Sequence, residues 1–482
     1  MKKVLFIGSE CVPFFSSGGL GDVIGSLPKE INKIGKYEVS VILPLYSAFP
    51  DKFRKELCKV CEYTVTLAWR RQYCGIYSLV YEGVTYYFVD NEYYFKRSSL
   101  YGSFDDAERY AFFCLACLEF MSNTDYYPDI IHAHDWQSAL AVIYLKTKYN
   151  TSANYKNIKS LYTIHNIEYQ GVYDHSILGD VFGISDINKS IVDYNGMINL
   201  TKGAIVCCDI LSTVSESYSH EIQTDYFSCG LAPIIRENGY KCVGITNGID
   251  VGYYSTERGG SSSHYTACDI SGKIICKKDL QSFFELPISA DSPIIAMVSR
   301  LTEHKGFDLV KRIIEEVLCS DVQFILLGTG ERELENYFLK LNEKFPDKVS
   351  VTIDFDKELS KKIYSGADIF LMPSRSEPCG LSQMIAAHYG AVPLVRHVGG
   401  LRDTITPFNE ESGCGNGFAF YDYNAHELLY EIKKAINFFH RKDVWEKIVK
   451  NAMESDFSWK KSAKKYCELY DRILFELAEG TE

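Results

Sequence analysis

The segment that decides the fold is Val4-Leu5-Phe6-Ile7-Gly8, a short apolar run that ends in a glycine. A run this short and this apolar predicts a strand that is buried on both faces, as in a parallel sheet. A polar, glycine-rich loop follows at residues 9–21. After this loop, apolar residues recur at helical spacing: Leu20, Val23, Ile24, Leu27, Ile31 and Ile34. We expect Pro28 to kink or break this helix.

Strand and helix signals continue to alternate along the chain, and the pattern restarts near residue 290. In the first half, further strands are predicted at residues 39–43, 129–132, 160–164 and 210–214. In the second half, strands are predicted at residues 294–298, 322–327, 349–353, 369–372 and 392–395. Alternation of this kind is typical of doubly wound α/β sheets. The sequence therefore predicts two similar α/β halves.

The boundary between the halves is expected near Gly244, which gives domains at residues 1–244 and 245–458. The segment 459–482 follows, with an amphipathic helix predicted at residues 462–477. Residues 257–264 are polar and contain Gly-Gly-Ser-Ser-Ser, which predicts an exposed loop just inside the second half.

The composition excludes several classes of protein. Of 482 residues, 46% are hydrophobic and 24% are charged, which is ordinary for a globular protein and excludes a disordered or fibrous one. The net charge of −12 argues against nucleic acid and anionic membranes as partners. No stretch approaches the ~20 apolar residues of a membrane span, and the apolar start is too short for a signal peptide, so we expect a cytoplasmic protein.

The 16 cysteines are expected to be free thiols in such a protein. Two C-x-x-C pairs, Cys58 with Cys61 and Cys114 with Cys117, leave a joint zinc site as an alternative. The second pair lies in an apolar, helix-like run at residues 111–121, which favours packing. We therefore predict no metal site.

Five loops at predicted strand ends, where sheets of this kind bind ligands, carry residue types that suit polar ligands. The five loops read S-S-G-G-L-G-D at residues 16–22, H-A-H-D-W at 132–136, T-I-H-N at 163–166, S-R-L-T-E-H-K-G at 299–306 and P-S-R-S-E-P-C-G-L-S at 373–382. In addition to these five, a second glycine loop, G-G-L-R-D-T, opens a helix at residues 399–404.

These residue types each allow a functional and a plain structural interpretation. Glycines before a helix let backbone N–H groups approach an anion, but turns use glycine as well. Arg300 and Lys305, just before a helix, suit a phosphate or diphosphate, and a solvated pair of charges is the alternative. For His132 we favour a hydrogen-bonded histidine beside the core.

Together these motifs closely resemble those of the bacterial glycogen synthases and plant starch synthases. The resemblance includes Y-Q-G at residues 169–171 and N-G-I-D at 247–250, and it runs from Lys3 to about Tyr470 in the expected order. H-A-H-D-W and E-P-C-G-L are specific to this group. The resemblance implies the GT-B fold, with two Rossmann-like domains facing across a cleft. Domain 1–244 would take the acceptor, domain 245–458 the nucleotide sugar, and segment 459–482 would return to the N-terminal domain.

The family reaction moves glucose from ADP-glucose to the non-reducing 4-hydroxyl of an α-1,4-glucan, with retention of configuration. The resemblance thus implies a hexosyltransferase whose partners are ADP-glucose and glycogen or another α-1,4-glucan, with no cofactor and no metal. Two alternatives stay open: a synthase that uses UDP-glucose or both donors, and a weakly active or inactive glucan-binding paralogue with a scaffold role. The sequence carries no signal for an oligomeric state.

The resemblance also implies roles for single residues. Arg300 and Lys305 would neutralise the leaving diphosphate, and Glu377 would stabilise the positive charge that develops on the glucose. His165 would contact the glucose, and Asp135 would lie near the acceptor hydroxyl. The other positions expected to bind substrate are Ser16, Gly18 and Gly19 at the diphosphate, Asn247 at the domain hinge, Phe355 on the nucleobase, Cys379, Gly380 and Leu381 at the sugar hydroxyls, and Thr404 as a further donor.

Phe355 has a plain alternative, a core aromatic at a strand end. The run Asp354-Phe355-Asp356 resembles the D-x-D metal motif of another glycosyltransferase fold, which we discount because this fold class works without a bound metal.

The chain departs from the family in the first glycine loop, where K-T-G-G-L is usual and Ser16-Ser17-Gly18-Gly19-Leu20 stands here. The missing lysine normally reaches the donor diphosphate, so its loss is expected to weaken donor binding or transition-state stabilisation. Residues 251–276 also match the family poorly, Asp354 stands where glycine is common, and Asp106 where asparagine is common. These departures affect donor identity and rate rather than the fold.

Overall fold

The computed structural model describes residues 1–256 and 261–476, and the chain folds into two compact units. Unit 1 contains residues 1–247 and the segment that begins at Trp459, and unit 2 contains residues 248–458. Residues 257–260 of the predicted polar loop and position 477 of the predicted last helix lie outside the described residues. Every strand predicted above is present, with ends within two residues of the prediction.

Unit 1 is built on a nine-stranded sheet and a small three-stranded sheet. Its strands are β1 (Lys2–Ile7), β2 (Tyr37–Pro44), β3 (Cys58–Leu67), β4 (Arg70–Tyr81), β5 (Val84–Asp90), β6 (Ile130–His134), β7 (Lys159–Ile164), β8 (Val172–Tyr173), β9 (Asp193–Tyr194), β10 (Met197–Asn199), β11 (Ile210–Thr213) and β12 (Cys242–Gly244). The large sheet has the order β12-β11-β7-β6-β1-β2-β5-β4-β3, and the small one β8-β10-β9. The strands from β12 to β5 are parallel, and Val4, Leu5, Phe6 and Ile7 at the centre are fully buried.

The helices of this part of unit 1 lie between the strands. They are α1 (Gly19–Ile34), α2 (Asp51–Arg54), α3 (Glu92–Phe95), α4 (Asp106–Thr124), α5 (Trp136–Thr147), α6 (Ile177–Asp180), α7 (Lys189–Val192), α8 (Leu200–Cys207), α9 (Glu216–Glu221) and α10 (Ala232–Glu237). Pro28 lies inside α1, which continues through it, so the expectation of a break is wrong. Proline removes one backbone hydrogen bond, but Ile24, Leu27 and Ile31 are fully buried around it, and this packing holds the helix together.

An antiparallel hairpin at one edge of the large sheet was missed from the sequence. β3 pairs with β4, and β4 pairs with β5, in antiparallel fashion. Cys58 and Cys61 lie on β3, whereas Cys114 and Cys117 are buried within α4. The two C-x-x-C pairs therefore belong to a strand and to a packed helix. Among residues 1–256 and 261–476, no group of three His, Cys, Asp or Glu side chains is placed to hold a metal ion.

Unit 2 contains a six-stranded parallel sheet with the order β15-β14-β13-β16-β17-β18. The strands are β13 (Ile294–Val298), β14 (Gln323–Leu327), β15 (Val349–Thr352), β16 (Ile369–Met372), β17 (Val392–Arg396) and β18 (Phe418–Phe420). The helices are α11 (Ser271–Phe283), α12 (Phe307–Val317), α13 (Arg332–Lys344), α14 (Lys357–Gly366), α15 (Ser382–His388), α16 (Gly399–Thr404), α17 (Ala425–Phe439) and α18 (Lys442–Glu454).

The last described α-helix, α19 (Trp459–Asp471), belongs to unit 1 and packs against α1. Asp471 accepts hydrogen bonds from the Tyr37 hydroxyl (2.6 Å) and from Lys36 Nζ (2.5 Å). Tyr470 is fully buried. No helix within the described ranges is long and apolar enough to cross a membrane.

The strand order reverses once in each unit, and the reversal marks where a ligand is expected. In unit 1 the chain moves outward from β1 and later returns to β6 on the other side of β1. In unit 2, β13 and β16 have the same relationship. Ligands of doubly wound sheets bind beside the carboxyl ends of such a strand pair. The loops at these ends carry Asp135 in unit 1, and Lys305 and Glu377 in unit 2.

Candidate active site

Asp135 directly follows β6 in a strained backbone conformation, with φ 58° and ψ 179°. Residues other than glycine rarely adopt this region, at a cost of about 1–3 kcal/mol. Two hydrogen bonds fix it: the Asp135 N–H donates to the Thr163 carbonyl (3.0 Å), and the carboxylate accepts from the His165 N–H (2.7 Å). These two bonds offset the strain and hold the Asp135 carboxylate against the loop that follows β7.

Asp135 and His165 have pKa shifts in opposite directions. Burial raises the pKa of Asp135 to about 7, and the Glu10 carboxylate acts in the same direction. The backbone N–H groups of His165 and Asn166 oppose this shift because they stabilise the ionised form. Burial lowers the pKa of His165 to about 3, so its imidazole is neutral at physiological pH. Asp135 is thus the member of this pair that titrates near neutrality.

His132 and His134 lie inside β6, because the strand runs two residues beyond its predicted end. His132 is fully buried, with Nε2 2.6 Å from Thr163 Oγ1 and Nδ1 2.9 Å from the Tyr470 hydroxyl. The interpretation of His132 as a hydrogen-bonded core histidine is confirmed.

The first glycine loop is organised by Glu10, a residue that the sequence analysis did not single out. Its carboxylate accepts hydrogen bonds from the backbone N–H groups of Ser17 (2.5 Å) and Gly18 (3.1 Å). It also accepts from the hydroxyls of Ser17 (2.8 Å) and Tyr101 (2.7 Å). The Gly18 N–H, predicted for a diphosphate, is therefore engaged by Glu10, whereas the Gly19 N–H at the start of α1 has no partner among the described residues. An acid three residues after β1 was the available signal.

Ser16 folds back into the same loop. Its hydroxyl donates to the Gly18 carbonyl (3.0 Å) and does not extend outward as a lysine would. Residues 9–21 contain no lysine or arginine. This loop therefore supplies no cationic side chain to a bound anion.

In unit 2, Lys305 and Glu377 form an ion pair that joins the loops after β13 and β16. Lys305 Nζ lies 2.6 Å from Glu377 Oε2, and the Ser374 hydroxyl donates to the same oxygen (3.0 Å). Gly306 makes this approach possible, because a Cβ there would lie 2.1 Å from the Pro373 carbonyl oxygen, and its φ of 82° favours glycine. Arg300 is exposed and forms no ion pair within the described part of the chain.

Arg375 holds these two loops in register. Its N–H donates to the His304 carbonyl (2.8 Å), and its guanidinium donates to Glu303 (2.9 Å). The guanidinium also stacks over the Tyr423 ring at 4.8 Å. Arg396 donates to the Arg375 carbonyl (2.6 Å) and lies 5.3 Å from the same ring. This cluster was not predicted, since its members come from four separate parts of the sequence.

The second glycine loop supports the backbone of the Glu377 loop. The Gly400 N–H donates to the Glu377 carbonyl (3.1 Å), and a Cβ at position 400 would lie 2.3 Å from Cys379 Cα. The Thr404 hydroxyl donates to the Gly400 carbonyl (2.6 Å) and accepts from Gln383 Nε2 (3.1 Å). Its proton is thus used inside α16 and is not directed outward as predicted.

Three further predicted residues lie at the start of α15. Cys379 is buried, and Gly380 has φ 72°. The N–H groups of Gly380 and Leu381 have no hydrogen-bond partner within the described ranges. They are available to donate hydrogen bonds to a ligand oxygen.

Phe355 lies in the loop after β15 with 76% of its surface exposed, so the alternative of a core aromatic is wrong. Asp356 accepts hydrogen bonds from the N–H groups of Glu358 (2.8 Å) and Leu359 (3.0 Å) and thereby caps α14. Asn247 is the last residue of the first segment of unit 1, and its buried Oδ1 has no partner among the residues described.

The structure thus brings the predicted residues together in two groups. Asp135 and His165 meet at the ends of β6 and β7, next to the loop of Ser16, Gly18 and Gly19 that follows β1. The loops after β13, β16 and β17 join in unit 2, and they carry Lys305, Glu377, Cys379, Gly380, Leu381 and Thr404.

Comparison with known proteins decides the family. Residues 3–237 match the model of the starch synthase catalytic domain, and residues 279–452 match that of the glycosyl transferases group 1. The chain is 47% identical over 475 residues to a glycogen synthase of Anoxybacillus flavithermus, covering 98% of each chain. The chain belongs to the glycogen and starch synthase family. A glycogen synthase of Desulforamulus reducens is 45% identical over 476 residues, covering 98% of this chain and 99% of its own.

Solved structures agree with membership of the glycogen and starch synthase family. The catalytic domain of starch synthase IV from Arabidopsis thaliana, bound to ADP and acarbose, has a TM-score of 0.91 at 30% identity and covers 98% of this chain and 99% of its own. A sucrose-phosphate synthase from Thermosynechococcus elongatus, at 16% identity and TM-score 0.62, shares the fold. The predicted GT-B class, with two Rossmann-like α/β domains, is confirmed, and this family member is a glucosyltransferase.

Proposed function

We propose that this enzyme is an ADP-glucose-dependent glycogen synthase that transfers glucose, with retention, to the non-reducing 4-hydroxyl of an α-1,4-glucan. The observation that carries the proposal is the ion pair of Lys305 and Glu377 beside the strand reversal of unit 2. The reaction needs both charges, a cation for the leaving diphosphate and a carboxylate for the glucosyl centre. Full-length similarity to glycogen synthases supports the acceptor, and the ADP bound to the plant relative supports the nucleotide.

On the donor side, negative charge develops on the diphosphate oxygens as the bond to glucose C1 breaks. Arg300 and Lys305 stabilise that charge, and a preorganised donor of this kind typically contributes about 3–4 kcal/mol to catalysis. Glu377 stabilises the positive charge on the glucosyl carbon. The N–H groups of Gly380 and Leu381 hold sugar hydroxyls, and the exposed ring of Phe355 stacks on the nucleobase.

On the acceptor side, Asp135 and His165 orient the sugars. The ionised Asp135 carboxylate accepts a hydrogen bond from the acceptor hydroxyl, and the neutral His165 contacts the glucose. The new bond to C1 forms on the face from which the diphosphate leaves, and the departing phosphate oxygen takes the acceptor proton. No pair of carboxylates acts here as in a glycosidase.

We further propose that residues 1–244 bind the acceptor, residues 245–458 bind the nucleotide sugar, and segment 459–482 belongs with the N-terminal domain. Asn247 would lie at the hinge. We place the enzyme in the cytoplasm, acting on small nucleotide sugars and glucan, with no nucleic acid or membrane partner; its net charge of −12 supports the last two points.

A synthase that accepts both ADP-glucose and UDP-glucose is the second candidate. The observation in its favour is the first glycine loop, where Ser16 binds the Gly18 carbonyl and no cation is present. A diphosphate site with one fewer cation depends more on its other contacts, and this change can alter donor selectivity.

The test is a competition between radiolabelled ADP-glucose and UDP-glucose at limiting enzyme, with glycogen as acceptor and a reaction lacking glycogen as control. We expect incorporation chiefly from ADP-glucose. Equal turnover of the two donors would contradict ADP selectivity and establish the dual-donor enzyme. Absence of incorporation from either donor, in folded protein that still binds glycogen, would overturn the proposal in favour of the inactive paralogue.

A further inference from the structure

His134 lies next to His165, the proposed sugar-binding histidine. Its Nδ1 lies 3.0 Å from His165 Nε2, and its ring packs on that of His132 with centroids 4.1 Å apart. His134 is fully buried, and the exposed fraction of His165 is 9%. Tyr470 of α19 completes the row through its hydrogen bond to His132. The row therefore runs from α19 to the candidate active site, all within unit 1.

A single proton joins His134 and His165, because burial lowers the pKa of both imidazoles and keeps them neutral. If His134 Nδ1 carries this proton, His134 Nε2 is a bare acceptor. If His165 Nε2 carries it, His134 Nε2 must be an N–H. That Nε2 is buried and has no partner among the residues described. A buried N–H without a partner is rarer than a buried acceptor without one, so the proton belongs on His134 Nδ1.

We propose that His134 is a positioning residue that holds His165 in its Nδ1–H tautomer. His165 Nε2 then accepts from His134, and His165 Nδ1, which has no partner in the described part of the chain, is a hydrogen-bond donor. A donor at this place suits the oxygen of a sugar hydroxyl. The tautomer follows from the burial of the two rings and their hydrogen-bond geometry, and only the sugar contact rests on the proposed function.

Tyr470 keeps the row in place. Its hydroxyl is hydrogen-bonded to His132 Nδ1 across 2.9 Å. His132 Nε2 is hydrogen-bonded to Thr163 Oγ1 (2.6 Å), which is in turn hydrogen-bonded to Ser212 Oγ (2.6 Å). These bonds fix the ring on which His134 packs, and with it the direction of His134 Nδ1.

The first test reads the tautomer directly in the full-length wild-type enzyme labelled with 15N-histidine. The His165 signals are assigned by their loss in His165→Asn. We expect a protonated Nδ1 and a bare Nε2 for His165. The reverse pattern, or a mixture of the two tautomers, would overturn the proposal. This readout does not depend on activity and needs no variant of His134.

The second test compares His134→Asn with His134→Gln. The asparagine amide can place an N–H near the position of Nδ1, whereas the glutamine amide lies further out. We expect His134→Gln to lower kcat about tenfold, the effect of one misaligned hydrogen bond. We expect His134→Asn to keep most of the wild-type kcat. His220→Gln, an exposed histidine on α9, is the matched control and should keep the wild-type rate.

Equal losses in both His134 variants, with the His165 tautomer unchanged, would show that His134 acts through packing alone and would overturn the proposal. A wild-type enzyme that transfers no glucose would instead contradict the proposed function, and the tautomer measurement would still decide the inference.

Discussion

Lys305 donates a hydrogen bond to Glu377 across 2.6 Å, so the proposed donor-side cation and carboxylate form an ion pair. Their side chains are 17% and 8% exposed. The Ser374 hydroxyl shares the same Glu377 oxygen, and the Gly400 N–H holds the Glu377 carbonyl. The carboxylate is thus fixed at both its side chain and its backbone, as expected of a group that must meet developing charge without reorganising.

Replacing Glu377 by alanine should lower turnover by orders of magnitude, because the charge on the glucosyl centre loses its counter-charge. Glu377→Gln should lose nearly as much while keeping a group that Lys305 and Ser374 can bind. The measurement is kcat for ADP-glucose, with a thermal melt to verify folding. Glu410→Gln, an exposed glutamate paired with Arg441, is the control and should keep its rate. An alanine variant with near-full rate would remove Glu377 from the mechanism.

The rate should depend on pH through Asp135. Because the pKa of Asp135 is about 7, its ionised fraction increases as pH rises through neutrality. The ionised carboxylate is the form that accepts a hydrogen bond from the acceptor hydroxyl. We expect kcat/KM for glycogen to rise between about pH 6 and 8. His165, with its pKa near 3, stays neutral throughout this range. Asp135→Asn should be slow and should lack this rise; a variant that retains the same profile would assign the titration to another group.

The same shift has a consequence for stability. An aspartate in the unfolded chain has a pKa near 3.9, so between about pH 4 and 7 the folded protein binds more protons at Asp135 than the unfolded one. The Asp135 contribution to the free energy of unfolding therefore falls as pH rises through this window and levels above about 7. Chemical denaturation at several pH values should show that the free energy of unfolding falls less steeply with pH in Asp135→Asn than in the wild type. Parallel curves of unfolding free energy against pH for the two proteins would contradict the raised pKa.

Ser16→Lys should tighten the use of ADP-glucose. The variant adds a cation to a loop that has none, and Ser16 is partly exposed, so the long side chain can leave the protein surface. We expect the KM for ADP-glucose to fall or kcat to rise by about tenfold, as for one added charge-assisted hydrogen bond. Ser122→Lys, at an exposed position of α4, controls for net charge. No change at Ser16 would show that other groups already compensate for the missing lysine.

Phe355→Ala should raise the KM for the donor without altering stability. The ring is 76% exposed, so its loss creates no cavity, and the melting temperature should stay within a degree or so of wild type. Stacking of an aromatic side chain on a base typically contributes about 1–3 kcal/mol, which predicts an increase in KM of roughly tenfold or more. Phe283→Ala, another exposed phenylalanine of unit 2, should leave KM unchanged. An unaltered KM in Phe355→Ala would place the base elsewhere.

The central strands were predictable because a parallel sheet buries both faces and leaves continuous apolar runs, such as residues 294–298. β3 was missed because most of its residues are exposed, so its apolar signal is weak. Pro28 was misjudged because local propensity ignores the burial of the surrounding turns. Both errors arise where tertiary packing, rather than local sequence, decides the structure.

The site was predictable as a set of polar residues at strand ends, but its internal hydrogen bonds were not. Glu10 and Gly18 are eight residues apart, and nothing in the sequence shows that the carboxylate engages the glycine N–H. The Thr404 hydroxyl donates to the carbonyl of Gly400, four residues earlier, a local bond that threonine commonly forms within a helix. Arg375 meets Tyr423 only because β16, β17 and β18 are neighbours in the sheet.

The most direct test of the account is the product itself. The enzyme is incubated with ADP-glucose labelled in the glucose and with glycogen, and the precipitated polymer is digested with β-amylase, which releases maltose from the non-reducing ends of α-1,4-glucans. The account predicts labelled polymer whose label is released as maltose, in the wild type and not in Glu377→Ala. Unlabelled polymer, or label that β-amylase does not release, would contradict transfer to the non-reducing 4-hydroxyl with retention.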